Sequence, residues 1–240
     1  MGSLDTKDIL VLVVIYAMAF VSGFILGGYF VVSHSYRSAV VYAAAVVSGG
    51  QGGTLATITA TVRPGHGRVF LTVTPQAELD TQESAQIAAE VATRLAGVPM
   101  SFVDIDFSIN APTAIVGGPS AGAAMTVAAY GALTGKQPRR DVVVTGEIRP
   151  DGSIGPVGGL VDKLEACATH GIKYFLIPAG ERYVRVAQPV NKVIEPIPGV
   201  KIIEQGLQWK TVDLMELGKK LGVKVVEVSS IYDVLPYFFS

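Results

Sequence analysis

At 240 residues the chain has room for one membrane segment and one domain of about 200 residues, but two full domains would be crowded. Half of it is hydrophobic and its formal net charge is -1, so it carries neither an extended acidic tail nor the basic footprint of a nucleic-acid binder. Cys167 is the single cysteine, which excludes an internal disulfide and cannot make a zinc site alone; no metal or other cofactor is expected.

Residues 1–8 form a short tail, and Ile9 to Val32 then runs twenty-four residues without a charge, flanked by Asp5, Lys7 and Asp8 before and by His34 and Arg37 after. A helix rising about 1.5 Å per residue crosses a hydrocarbon core of roughly 30 Å at this length, with tilt to spare. A cleaved signal peptide is the competing reading. The run exceeds the roughly 7 to 15 residues of a signal h-region, its leading segment holds two acids against one lysine, and no small-x-small site follows directly. The expectation is therefore an uncleaved, single-pass anchor over 9–32. Lys7 and the amino terminus nearly balance Arg37, so the positive-inside rule does not set the side of the following domain. Gly23 and Gly27 form a G-x-x-x-G that fits close approach of two anchors, or two glycines in a small-residue-rich span.

From residue 38 to 240 the chain reads as one domain of α+β, or mixed α/β, class, without repeat or low-complexity linker. Residues 54–62 place Leu55, Thr57, Thr59 and Thr61 on one strand face and Ala56, Ile58, Ala60 and Val62 on the other. A turn over Arg63–Gly67 and a return over Val69–Val73 make this a predicted hairpin. A helix is predicted from Thr81 to Ala96, with Asp80 as N-cap, Glu83 completing a capping box and Gly97 at its end. Val103, Ile105, Phe107 and Ile109 alternate with Asp104, Asp106, Ser108 and Asn110, a strand with one wet face. The remaining predicted elements are a small-residue helix over Ala121–Leu133, a strand over Val142–Thr145, a helix over Leu160–His170 and a strand over Tyr174–Ile177. A strand (200–205), helix (212–221), strand (223–228) and helix (230–237) follow.

Two segments carry chemistry. Gly118-Pro119-Ser120-Ala121-Gly122 sets a glycine-flanked serine at a helix start, where unpaired backbone N–H groups and the positive end of the helix dipole can stabilise an oxyanion. Ser120 as a plain N-cap is the bland alternative. The pentapeptide also fits the G-x-S-x-G nucleophile elbow, but His170 is the only histidine after Ser120, fifty residues on at a helix end, and no HGGG-type segment precedes it. The second segment, Pro156-Val157-Gly158-Gly159-Leu160-Val161-Asp162-Lys163, places a lysine forty-three residues beyond the serine. At 100° per residue Asp162, Glu165 and Thr169 share one helix stripe, whereas Lys163 lies with Leu160, Cys167 and His170. A lysine accepts a proton only as the neutral amine, and its reference pKa of about 10.4 must fall by several units for that form to be common near neutrality. Desolvation among apolar neighbours achieves this. The alternative is a lysine whose stem packs while its head reaches water.

Thr145-Gly146-Glu147-Ile148, Gly152, Pro156 to Leu160, Lys163, Ala166, Gly171-Ile172-Lys173 and Leu176-Ile177-Pro178 resemble, in order and spacing, the proteolytic domain of Lon proteases, and Gly118 to Gly122 looks like that family's serine motif. The resemblance is strong from Asp104 to Pro178 and looser from Ala39 and over Val223–Phe239. It implies Ser120 as nucleophile, Lys163 as general base and Thr145 as the residue that helps hold the amine, with Gly118 and Gly122 shaping the serine turn. It also implies a compact α+β fold that commonly assembles into hexameric rings. Three departures stand out. No G-x-x-x-x-G-K-[ST] is present, and Gly131 to Gln137, the nearest stretch, misses the spacing and the final hydroxyl, so ATP-driven unfolding by this polypeptide is not expected. Gly117 occupies the place of an acid found in many relatives, with Asn110-Ala111-Pro112-Thr113 where an acidic loop stands upstream. Residues 181–221 form an unassigned insertion that exceeds the family's connection.

The function expected from the sequence is an ATP-independent, membrane-anchored, Lon-like serine endopeptidase acting on loosely folded or unfolded polypeptide, a homo-oligomer with no nucleic-acid partner, a separate ATPase partner remaining open. A non-catalytic assembly or adaptor module with this fold, and a signal-peptidase-type Ser-Lys enzyme, are the alternatives.

Overall fold

The computed structural model describes residues 13–22, 36–47, 52–74, 79–112, 119–197 and 200–239, leaving the side chains of 79, 191–197 and 200–204 undescribed. In chain order its elements are α1 (13–22), β1 (Arg37–Val46), β2 (Gly53–Pro64), β3 (Val69–Thr74), α2 (Leu79–Ala96), β4 (Val103–Asn110), α3 (Gly122–Thr134), β5 (Val142–Val144) and β6 (Glu147–Ile148). Then follow β7 (Ile154–Gly155), α4 (Leu160–Thr169), β8 (Tyr174–Pro178), β9 (Tyr183–Ile197), β10 (Val200–Asp213), α5 (Leu214–Leu221), β11 (Lys224–Val228) and α6 (Ile231–Phe238).

Seven strands form one mixed sheet in the order β11-β8-β5-β1-β2-β4-β3. Strands β11, β8, β5 and β1 are mutually parallel, β2 runs antiparallel to β1 and β4, and β3 is parallel to β4. The core lies on both faces of this sheet. Along β1, Val41 and Ala43 belong to the core beneath α2 and α3, whereas Tyr42 and Ala44 belong to the core beneath α4. Likewise Leu176 of β8 points to the first core and Phe175 and Ile177 to the second. Strands covered on both faces read as continuous apolar runs, as Phe175–Ile177 does. On the first face α3 is built almost wholly of buried small residues, among them Ala123, Ala124, Ala128 and Ala129, and it packs against Ala85, Ala88, Ala89 and Ala92 of α2.

The fold is mixed α/β, and the predicted strand over 54–62 buries the face expected of it, Ala56, Ile58, Ala60 and Val62. The predicted hairpin is corrected. Strand β3 does not pair with β2; β4 inserts between them, antiparallel to β2 and parallel to β3. The turn that resembles a hairpin loop wraps the start of β4 instead. Asp104 Oδ1 accepts the backbone N–H groups of His66 (2.8 Å) and Arg68 (3.0 Å), and Gly65 N–H donates to Phe102 O (3.0 Å). Those N–H donors hold the Asp104 carboxyl below its ordinary value. Helix α2 begins at Leu79, so Asp80 and Glu83 lie inside its first turns and the capping box predicted on Asp80 is not formed there.

The anchor is also corrected. The described part of α1 covers ten residues, a rise of about 15 Å. Among the described residues no helix is long and apolar enough to cross a membrane. The single-pass membrane localisation expected through residues 9–32 is therefore overturned. A charge-free run meets the length criterion by composition alone, whereas a span needs about twenty helical residues and ten are described. Gly23 and Gly27 lie outside the described residues.

The 181–221 segment folds as a two-stranded antiparallel hairpin, β9 with β10, followed by α5. Its root is fastened by Arg182, whose guanidinium donates to both Asp213 oxygens (Nη2 to Oδ2, 2.6 Å; Nε to Oδ1, 3.0 Å). Asp213 also caps α5 through the N–H groups of Met215 and Glu216.

Candidate active site

Strands β1 and β5 are parallel, and at their C-terminal ends helices from opposite faces of the sheet approach one another. Ser120 comes from the turn Pro119–Ala121 ahead of α3 on the first face, and Lys163 from the first turns of α4 on the second. Both line one cleft of about 390 Å³. Its other walls are the end of β1 (Ala43 to Val46), Ala56 and Ile58 of β2, Ile109 of β4, and the loop Pro156–Gly158. A crevice beyond the carboxyl ends of parallel strands is a usual ligand position in open sheets of this kind.

The turn carrying Ser120 is clasped by the chain leaving β5. Gly146 N–H donates to Ser120 O (3.0 Å), the Thr145 hydroxyl reaches the same carbonyl (3.4 Å), and Ala123 N–H donates to Gly146 O (3.1 Å). Ser120 is not the helix cap. Ala121 occupies that position without a side-chain hydrogen bond, so the serine hydroxyl is not committed to capping. The clasp depends on Gly122, because a Cβ there would lie 2.6 Å from Ile148 Cγ2 and 2.9 Å from Ile148 N. Gly117 and Gly118 lie outside the described residues.

Lys163 is 3% exposed. Its neighbours on α4, Leu160, Leu164 and Cys167, are buried, as the sequence periodicity requires, while Glu165 is exposed. His170, expected on the same stripe, is exposed; its Nδ1 lies 2.8 Å from Ala166 O at the helix end, away from the cleft lining. Burial lowers the Lys163 pKa to about 8 from its ordinary 10.5, opposed by the negative charge of Glu181. Burial pushes the Cys167 thiol up to about 12, so it stays protonated beside the amine. The amine donates to Thr145 Oγ1 at 3.1 Å. Among the described residues no hydrogen bond joins Ser120 Oγ to Lys163 Nζ; the link is indirect, from Nζ to Thr145 Oγ1 and from there to the Ser120 carbonyl.

Helix α4 is preceded by Gly159 at its N-cap, where φ is a left-handed 69° and a Cβ would strike Val46. Glycine is needed there to turn the Pro156–Gly158 wall into the helix that bears Lys163. Sequence reasoning singled out Ser120, Thr145 and Lys163, which the structure brings together. It missed Gly146 as a backbone clasp and Glu181, whose Oε2 accepts Val157 N–H at 3.1 Å. Among the described residues no cluster of metal-ligating side chains is present.

The arrangement has known parallels. The family model of the Lon protease (S16) C-terminal proteolytic domain matches residues 31–207. Similar proteins include the Lon protease of Methylocella silvestris, 38% identical over 152 residues (60% of this chain, 18% of that protein). The Lon protease of Phenylobacterium zucineum is 40% identical over 137 residues (55% and 17%), and that of Escherichia coli K12 is 38% identical over 163 residues (65% and 20%). The chain thus matches a fifth or less of the length of these curated relatives. With three quarters of its length under one family model, the chain belongs to the Lon protease (S16) C-terminal proteolytic domain family.

Proposed function

We propose that the protein is a serine endopeptidase in which Ser120 is the nucleophile and Lys163 the general base, cleaving loosely folded or unfolded polypeptide without ATP. The observation that carries this reading is the convergence of an uncommitted serine and a desolvated lysine on one cleft. At pH 7 an amine of pKa about 8 is neutral in roughly one molecule in ten, against about one in three thousand at its ordinary value. Neutral Lys163 takes the Ser120 Oγ proton as the oxygen attacks the peptide carbonyl, and the Thr145 hydroxyl keeps the amine aimed. Backbone N–H groups beside Ser120, at the start of α3, meet the oxyanion of the tetrahedral intermediate. Protonated Lys163 then gives its proton to the departing amine, leaving an acyl-serine. The same amine deprotonates the water that hydrolyses this ester, restoring Ser120. Membership of the family supports homo-oligomeric assembly, with a hexameric ring as the form to look for by light scattering.

Ser120→Ala and Lys163→Ala should each abolish hydrolysis of an unstructured protein such as casein, assayed without ATP, while retaining the wild-type circular dichroism spectrum. Full activity in either variant would overturn the assignment. A folded, assembled wild-type chain that neither cleaves casein nor reacts with a serine-directed probe would point instead to a non-catalytic module.

A further inference from the structure

Glu181 and Val157 are twenty-four residues apart and are joined by the hydrogen bond from Val157 N–H to Glu181 Oε2. Val157, with Pro156 and Gly158, forms the wall of the cleft that leads directly into α4. Apart from this bond, the wall is held by the partly buried Val157 side chain, which packs against the second core. Pro156 has no N–H to donate, and the position of a Cβ on Gly158 has nothing within 4 Å. Glu181, in contrast, stands on a fixed post. Its N–H donates to Pro178 O (3.3 Å) at the end of β8, Gly180 N–H is held by Glu227 Oε1 (2.7 Å), and Arg182 beyond it is locked to Asp213 and receives Leu214 N–H at its carbonyl (2.9 Å).

The same carboxylate, bonded to a wall that lines one cleft with Lys163, also acts on the base. The groups acting on the Lys163 amine, apart from its burial, are first Glu181 and then Cys167 one turn along the same helix. The other titratable groups on α4 are Asp162, Glu165 and His170; those on the elements packed against it are Arg37 and Tyr42 (β1), Arg63 (β2), Tyr174 (β8), and Glu216, Lys219 and Lys220 (α5). None of these is among the groups acting on the amine.

We propose that Glu181 is a positioning residue that holds the Pro156–Gly158 wall of the substrate cleft through Val157 and places a negative charge beside Lys163. The proposal rests on the reading of Lys163 as general base. Its consequence is that one carboxylate sets both substrate fit and the pH range of activity. Glutamine at 181 keeps an acceptor for Val157 N–H but removes the charge; alanine removes both.

The test is kcat and KM against pH for wild type, Glu181→Gln and Glu181→Ala on an unstructured polypeptide, with Ser120→Ala as control. In Glu181→Gln the ammonium loses a favourable charge, so the acidic limb of kcat/KM should move to lower pH by about half to one unit while KM stays within about twofold. Glu181→Ala should show the same displacement together with a KM raised about five- to tenfold, the loss of one charge-assisted hydrogen bond. An acidic limb that stays in place in Glu181→Gln overturns the electrostatic role, and an unchanged KM in Glu181→Ala overturns the tether. The limb in Glu181→Gln decides the electrostatic role even where Glu181→Ala folds poorly. Activity in Ser120→Ala would sink the Ser-Lys reading itself; an inactive Ser120→Ala beside unmoved Glu181 variants would sink the role of Glu181 alone.

Discussion

Replacing Lys163 with methionine should abolish hydrolysis and make the protein more stable at neutral pH. Methionine keeps an unbranched stem of similar length and removes the charge from a site that is 3% exposed. Burial lowers the pKa there from 10.5 to about 8, a fall of about 2.5 pH units that corresponds to roughly 3 kcal/mol disfavouring the ammonium. Because the native value lies below the unfolded one, the unfolded chain binds the extra proton between pH 8 and 10.5. Stability therefore rises with pH across that window, and the full penalty stands below it. Methionine escapes the penalty but leaves the Thr145 hydroxyl without its amine partner, a loss of about 1 kcal/mol. The net gain is about 2 kcal/mol at pH 6.5 to 7.5, falls to zero near pH 10 and changes sign above it. Urea unfolding of both proteins at pH 6.5, 8, 9 and 10.5, beside casein hydrolysis, measures it. A Lys163→Met variant less stable than wild type at pH 7, or a difference that does not change with pH, would refute the reasoning that this lysine is held at a cost for its chemistry.

Thr145→Val removes the acceptor of the Lys163 amine and the hydroxyl beside the Ser120 carbonyl, and should lower kcat about 10- to 100-fold with little change in KM, whereas Thr145→Ser should restore most of the rate. Wild-type kcat in Thr145→Val would show that the amine is aimed by something else. Gly122→Ala forces a Cβ against Ile148 backbone and side chain and should destabilise by about 1 to 3 kcal/mol in urea unfolding while displacing the serine turn; wild-type stability there would mean that the β6 segment yields freely.

The elements legible in the sequence are those whose signal is local. The period of two along Ala56, Ile58, Ala60 and Val62 reports a strand whose one face meets the core, and the alternation of Ile105, Phe107 and Ile109 does the same for β4. Helix α4 was legible from Gly159 and Gly171 at its ends and from its apolar stripe, and Lys163 was conspicuous because it lay on that stripe. Strand β1 gives no such signal. Its sequence from Ala39 to Val46 is a run of valine and alanine around one tyrosine, since it is covered by α3 on one face and α4 on the other. The separation of β2 from β3 was hidden for a different reason. A turn with proline and two glycines suits a hairpin equally well, and only Asp104, thirty-six residues beyond Arg68, reveals that the turn is wrapped around β4. The 24-residue apolar run shows the opposite failure, a strong compositional signal over a stretch in which the described helix covers ten residues.

The site shows why chemistry was easier to read than position. Ser120, on the turn ahead of α3, and Lys163, on α4, belong to helices that cover opposite faces of the sheet, and two such helices meet only where the sheet ends. That place is the C-terminal edge of β5 and β1, where Thr145 and Gly146 leave the sheet and bond to both partners at once: Thr145 to the amine, and Gly146 with Thr145 to the serine carbonyl. Strand β1 is also where parallel pairing with β5 gives way to antiparallel pairing with β2, so the cleft draws walls from β1, β2 and β4 as well as from the helices. A motif can record that a serine, a threonine and a lysine occur in a given order. What makes them converge is the parallel pairing of Tyr42 with Val143, a single register contact that no local sequence pattern encodes. Glu181 illustrates the same limit, for its partner Val157 offers only a backbone N–H, which leaves no trace in the identity of the residue.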